Sequence, residues 1–390
     1  MLHLGIDASN IRQGGGVTHL SQLLNAADPA AAGIERITVW AARSMAAALP
    51  ARPWLEVRSP AWLEAGMPRR MFGQQFQLAG ELKQAGCDVL FSPGGTLPLW
   101  CSIPTVTMSQ NMLPFEPLEA LRFGRWSGMR LKMWLLRQSQ IRSFKRADGL
   151  IFLTQYARDG VSRWLGKAKG RQVTISHGIE PRFAANPRQQ KPAQDYSFHQ
   201  PFTFLYVSIL MPYKHQIQVA KAASDLRRAG SPVRVRFVGA ESGRYGKQFS
   251  EMLRQIDPQG EFLLWPGCIP FEDLHAEYQV ADAFLFASSC ENLPNILIEA
   301  MTAGLPIACS NRGPMPEVLG DAGVYFDPLW PQEITAAMRK LIHAVDLRAH
   351  MAEQARELSR AYSWHRCAKE TFEFIAAVAA QRKAFPKAQK

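Results

Sequence analysis

The chain has 390 residues, too many for one ordinary domain and enough for two, each with its own core. At 47% hydrophobic and 20% charged residues it is a folded chain and not a disordered one, and no apolar run reaches the roughly eighteen residues of a membrane span. The net charge of +12 implies an anionic partner: nucleic acid, an acidic membrane surface or a phosphorylated substrate.

The opening Met-Leu-His-Leu-Gly-Ile-Asp7 lacks a basic n-region and runs straight into a strand over 2–6, so no signal peptide is expected and the cytoplasm is the expected location. A glycine-rich loop with Gly14, Gly15 and Gly16 follows, ahead of a helix from 18 to about 27. Three glycines let backbone approach a ligand without Cβ interference, and the G-x-G-x-x-G of a dinucleotide oxidoreductase is absent. Strand and helix patterns then alternate through 36–42, 55–59, 76–85 and 89–92, the rhythm of a parallel α/β sheet. A strand from 105 ends in a polar loop that holds Gln110 and Asn111.

From 121 to 146 the sequence carries eight Lys or Arg and no acid. Trp126, Met129, Met133 and Leu136 form one helical stripe, and Arg125/Lys132 and Arg130/Arg137 fall on its two sides. Cations flanking an apolar stripe suit a helix lying in a membrane surface; a core-packed helix with a basic rim accounts for them equally. Strands at 149–154 and 173–179 follow, the latter with His177 at a turn, and 184–197 lacks apolar periodicity and reads as a linker. The second half opens with a strand at 202–208 and Lys214 shortly after it. Further strands are expected at 233–238, ending in Gly239, and at 262–267, ending in Gly267, with a helix over 273–279. The six cysteines show neither CxxC spacing nor a His partner, so neither disulfides nor zinc is expected, and Cys290 reads as a packing residue.

The most informative stretch comes next. The apolar run 283–287 feeds Cys290-Glu-Asn-Leu-Pro-Asn-Ile-Leu-Ile-Glu299, then Ala-Met-Thr-Ala-Gly304. Pro294 suits a first helical turn, so Glu291 lies on a loop and Glu299 on a helix from Asn295 to Ala303. A strand end, a loop and a helix N-terminus present amides and the positive dipole end to an anion. Two carboxylates there would repel a bare phosphate but accept hydroxyl groups, and a nucleotide sugar offers both chemistries. Glu291 and Glu299 reproduce the E-x7-E signature of retaining glycosyltransferase family 4, and the flanking Glu-Ala-Met-x-x-Gly-x-Pro, Pro-Glu317 and Asp-Ala-Gly…Asp-Pro328 resemble that family too.

The resemblance covers nearly all of 200–375 and only loops of the first half. It implies an α/β fold of the GT-B type, two Rossmann-like domains facing each other across a cleft. The expected boundaries are an acceptor-binding domain at 1–185, a linker at 186–199 and a nucleotide-sugar domain at 200–371, with a terminal helix at about 372–390 packing back onto the first. It implies donor contacts from Lys214, Glu291, Asn292, Leu293, Pro294, Asn295, Glu299, Gly239 and Gly267, and a loop at Gly14, Gly15 and Gly16 that borders the diphosphate and the acceptor. Lys214, Glu291 and Asn111 are the expected catalytic residues. Where many relatives carry His-Asp this chain has Gln110 and Asn111, and an amide takes no proton at neutral pH. Ser208 and Ile209 stand where relatives show Gly-Arg, leaving the phosphate one cation short, with Arg244 or Arg312 as substitutes. No metal or other cofactor is expected. The activity implied is retaining hexosyl transfer to a saccharide acceptor, lipid-linked by analogy with O-antigen and capsule assembly, at a peripheral position on the inner face of the plasma membrane. Arg125, Arg130, Lys132 and Arg137 are then the membrane-facing cations. A nucleic-acid-binding protein explains the charge but not the motifs, so no nucleic acid is expected; a non-catalytic scaffold of the same fold explains Gln110, Asn111 and Ile209.

Overall fold

The computed structural model describes residues 1–12, 14–124, 127–166 and 168–384. The chain forms two units: Met1–Phe115, Gly128–Gly178 and Ser363–Lys390 make the first, and Glu116–Ser127 with Ile179–Tyr362 make the second.

The first unit is built on a seven-stranded sheet of β1 (Leu2–Asp7), β2 (Ile34–Trp40), β3 (Leu55–Arg58), β4 (Val89–Ser92), β5 (Thr105–Met108), β6 (Gly149–Phe152) and β7 (Arg171–Thr174), in the order β3-β2-β1-β4-β5-β6-β7. The second holds β8 (Phe202–Val207), β9 (Val233–Val238), β10 (Leu263–Gly267), β11 (Ala283–Phe286), β12 (Ile307–Ser310) and β13 (Gly323–Phe326), in the order β10-β9-β8-β11-β12-β13. Every pairing is parallel. Strands such as β4, β6 and β11 are buried at every residue, because helices cover both faces of a parallel sheet. In each sheet the order reverses at one strand, β1 in the first and β8 in the second, and a doubly wound sheet opens its ligand crevice beyond the carboxyl ends at that reversal.

Three local outcomes differ from the sequence expectation. The first helix runs Gly15–Asn25, so Gly15 and Gly16 lie in its first turn and Gly14 is the N-cap, at φ 68, a left-handed conformation that favours glycine. The 186–199 segment is laid onto the second unit: Tyr196 donates its hydroxyl to Asp282 at 3.1 Å, and the buried Arg348 donates to Gln190 Oε1 at 3.0 Å. The unit boundary lies earlier, between Gly178 and Ile179. The terminal helix begins at Trp364 and packs on the Gly15–Asn25 helix and on β4, β5 and β6; the expected stretch beyond 384 lies outside the described residues.

The basic segment is also not one helix. Pro117–Leu121 is a short helix of the second unit, and Gly128–Arg146 is a long helix of the first. Of the two readings open for the stripe, membrane surface or core, the described part follows the core one, with Met133 buried and Met129 and Leu136 half-buried. Solvent instead meets Leu131, Trp134 and Leu135, beside the exposed Lys132. Arg137 lies over the Trp164 ring at 3.9 Å, Arg130 is half-buried, and Arg125 and Trp126 fall outside the described residues. Periodicity places residues on one face; which medium that face meets depends on the rest of the fold. Among the described residues no helix is long and apolar enough to cross a membrane. Met133→Ala is expected to cost about 2–5 kcal/mol of unfolding free energy in a denaturant titration, against roughly 0.5 kcal/mol or less for Trp134→Ala. Equal costs would place the inner face elsewhere.

Candidate functional site

The carboxyl ends of β8 and β11 define the site in the second unit. At the end of β8, Ser208 N donates to Val238 O at 2.8 Å, and Gly239, φ 153, passes so close that a Cβ there would sit 1.9 Å from Ser208 O. Only glycine allows that crossing. Gly239 N donates to Gly267 O at 2.8 Å and Trp265 Nε1 to Gly239 O at 3.0 Å, so Gly239 and Gly267 shape the ends of β9 and β10.

After Ser208 the chain turns through Pro212–Lys214 into the helix Gln216–Arg228. Lys214 is buried and its ammonium pairs with the Glu291 carboxylate. Its Nζ lies 5.1 Å from the centre of the Phe286 ring and 5.6 Å from that of Tyr213, and the Tyr206 hydroxyl donates to the Lys214 carbonyl. The pair therefore sits against aromatic walls, where a charge acts with less screening. His215 has φ 53 and is, among the described residues, the one non-glycine residue with positive φ. Its Nε2 is 2.9 Å from Ser289 Oγ, and Ser289 Oγ donates to Glu119 Oε2 at 2.5 Å. Because the serine proton is directed to Glu119, Nε2 carries the proton of the His215 bond. Burial, then the Arg122 charge, lowers His215 to about 4, so it is neutral at pH 7.

Glu291 lies on the loop after β11, and Glu299 lies on the helix Asn295–Thr302, whose N-cap is Pro294. Asn292 and Leu293 are buried between them in sequence, and Asn295 Oδ1 is buried without a hydrogen-bond partner among the described residues. Glu299 is buried and accepts the Tyr278 hydroxyl at 2.7 Å; burial raises its carboxyl to about 7. Near neutrality this carboxyl exists in both forms and can accept from or donate to a hydroxyl group.

The first-unit candidates surround the carboxyl end of β1. A Cβ on Gly15 would meet nothing within 4 Å, whereas one on Gly16 would lie 3.5 Å from Gln110 Oε1. Gln110 Nε2 is 3.1 Å from His19 Nδ1, and Asn111 Oδ1 accepts from Leu113 N at 3.0 Å, so the Asn111 side chain caps its own turn. His177 stacks on His19 at 4.4 Å and on Trp364 at 5.7 Å, inside the fold. A set of polar residues absent from the sequence reading lies here: the buried Asp7 accepts from Ser9 N at 3.0 Å, Gln74 Nε2 at 2.6 Å and Ser92 Oγ at 3.1 Å. Burial raises its carboxyl. The only signal available was a lone Asp after an apolar strand.

Of the two proposed substitute cations, Arg312 is engaged bidentately by Asp327, at 3.1 and 2.6 Å, which also explains the Asp-Pro328 motif as a structural one. Arg244 lies in the first turn of the helix Gly243–Ile256. Cys290 is buried, and burial pushes its thiol well above the ordinary range. All six cysteines are free, and among the described residues no three His, Cys, Asp or Glu side chains converge on a metal position.

Residues 187–358 match the family of Glycosyl transferases group 1, and residues 13–183 match Glycosyltransferase Family 4. The chain is 25% identical to the O-antigen chain mannosyltransferase B of Escherichia coli over 241 residues, 60% of this chain and 62% of that protein. It thus spans less than two thirds of that relative's length. Among solved structures it resembles a sucrose-phosphate synthase from Thermosynechococcus elongatus, with a TM-score of 0.73 at 16% identity over the whole of both chains. It also resembles WaaG, a glycosyltransferase involved in lipopolysaccharide biosynthesis, with a TM-score of 0.71 at 15% identity over 95% of this chain and 99% of that one. At these identities the structural likeness establishes the fold.

The buried Glu299 yields a pH signature. Its carboxyl is raised from 4.5 to about 7, so between those values the folded protein holds a proton that the unfolded chain has released. Stability should fall as pH rises through that window and level off above it. Glu299→Gln is expected to remove that part of the decline. Melting temperatures of parent and variant, measured from pH 4 to 8, should diverge with rising pH; parallel curves would mean the carboxyl titrates normally.

Proposed function

Because the chain belongs to the glycosyltransferases of GT-B fold, a family 4 domain followed by a group 1 domain, we propose that it moves a hexose from a nucleoside-diphosphate sugar to a saccharide acceptor, with retention of anomeric configuration. The observation that carries this reading is the Lys214–Glu291 pair at the strand reversal of the second sheet, with Glu299 on the helix that follows. In this reading Lys214 and the N-termini of the helices Gln216–Arg228 and Asn295–Thr302 offset the charge of the departing diphosphate. Glu291 fixes the ammonium that does so, and Glu299 takes a ribose or sugar hydroxyl. Asn111 acts as a hydrogen-bonding amide and not as a base. The acceptor proton passes to the departing phosphate on the same face of the sugar, which accounts for retention without a general base from these residues. No metal is required on this mechanism, because the cationic and dipolar groups lie in the chain itself.

The similarity to an O-antigen mannosyltransferase supports surface-polysaccharide assembly as the setting, and the exposed Leu131, Trp134 and Leu135 beside Lys132 support a lipid-linked acceptor reached at a membrane surface. Hydrolysis or transfer from a panel of GDP- and UDP-hexoses tests the activity, and EDTA is expected to leave the rate unchanged. Lys214→Ala should lower turnover by roughly 10²–10³-fold, the scale for one charge-stabilising group in a water-poor site. A change under about threefold would place the diphosphate elsewhere. Replacing Leu131, Trp134 and Leu135 together by Ser should reduce binding to anionic vesicles at least tenfold, given about 1.5–3 kcal/mol for burying one large apolar side chain. Unchanged vesicle binding would remove this face from membrane contact.

A further inference from the structure

The segment 116–127 belongs to the second unit although both its ends continue into the first. It is fixed beside the Lys214 turn at two points. Glu119 accepts from Ser289 Oγ at 2.5 Å, and Ser289 shares a hydrogen bond with His215, the residue after Lys214. Phe123 packs 6.2 Å from Tyr213, the residue before Lys214. Between these anchors stands Arg122, whose Nε donates to Glu119 Oε2 at 2.6 Å and whose Nη2 lies 3.4 Å from Oε1. Its side chain keeps 29% of its surface exposed, and Nη1 lies outside the Glu119 grip.

The charge of Arg122 is felt at the start of the helix Gln216–Arg228. Burial and then the Arg122 charge lower His215, with the Glu119 carboxylate acting in the opposite sense. Arg122 is also the smallest of the influences that oppose the rise burial imposes on Tyr245, whose hydroxyl accepts from Ile217 N in the first turn of that helix. Lys214, this helix N-terminus and the Arg122 guanidinium therefore gather around one corner of the site. Ile209, 44% exposed just after β8, contributes no charge of its own.

We propose that Arg122 is a diphosphate-binding residue, a second cation that reaches the donor's phosphates from the 116–127 segment while Glu119 and Ser289 hold it in place. A planar guanidinium suits this task, since its fork of N–H donors matches two phosphate oxygens while another edge stays on a carboxylate. The inference rests on the donor site proposed above, and the test separates the two.

The probes are GDP and UDP with their monophosphates, titrated calorimetrically against the full chain. Arg122→Gln is expected to weaken the better-bound diphosphate by roughly 10–100-fold, the range of one hydrogen bond to a charged group, and to leave the monophosphate within about threefold. Arg122→Lys, which keeps the charge and the Glu119 pair, should lie between parent and Arg122→Gln, and serves if the Gln variant does not fold. If Lys214→Ala weakens the diphosphate but both Arg122 variants bind it like the parent, the assignment is overturned and the donor site stands. An equal loss of mono- and diphosphate overturns it as well, since the effect would then be structural. A parent that binds neither diphosphate removes the donor site itself.

Discussion

A buried ammonium facing a half-buried carboxylate is the constraint around which the second unit is arranged. Lys214 is on the turn after β8 and Glu291 on the loop after β11, so the pair ties together the ends of two adjacent strands. Removing either partner would leave the other charge without compensation in an apolar surrounding, a cost of several kcal/mol that keeps both loops in register. Tyr206 beneath the Lys214 carbonyl and the Phe286 and Tyr213 rings beside its Nζ shape the same walls. The left-handed backbone of His215 then redirects the chain into the helix Gln216–Arg228, so that its first amides start beside the pair.

What could be read from the sequence was whatever is local. The 283–287 run, the loop with Glu291, the helix with Glu299 and the turn at Lys214 each lie within one short stretch, and hydrophobic period plus Pro and Gly placement locates them to within a few residues. Glu119 was not legible because its partner Ser289 is 170 residues away and neither has a local pattern. The same holds for Arg312: a sequence displays a cation but not the Asp327 already bound to it. On the helix Gly128–Arg146 the period was sound but left the surroundings open, since a stripe of Met and Leu has the same spacing whether it meets lipid or Phe144's side of the core.

The first unit solves a related problem without a cation. Asp7 ends the reversing strand, is fully enclosed, and is satisfied by an amide from the loop after β1, a carboxamide from the helical turn Gly73–Gln77 and a hydroxyl from the end of β4. Gln74 extends this set to Thr96, and Asn10 reaches both. Neutral donors hold a carboxyl more cheaply in desolvation than a buried counter-ion would, and the loops after β1 and β4 are fixed to each other by them. The two reversal points thus differ in kind: one is held by a charge pair beside a helix start, the other by a polar web under a glycine-capped helix.

The placement of residues 116–127 has a consequence for how the chain can be divided. The backbone passes from one unit to the other at 115/116, 127/128, 178/179 and 362/363, so neither unit is a continuous piece of sequence. A fragment starting at Ile179 and ending at Tyr362 would contain all six of its strands yet lack Glu119, leaving the Ser289 hydroxyl only the Tyr213 carbonyl as an acceptor beside His215. A fragment ending at Gly178 would lack the helix from Trp364 that covers β4, β5 and β6. Each half is completed by chain that is synthesised with the other, which makes cooperative folding of the whole a property of connectivity as much as of packing.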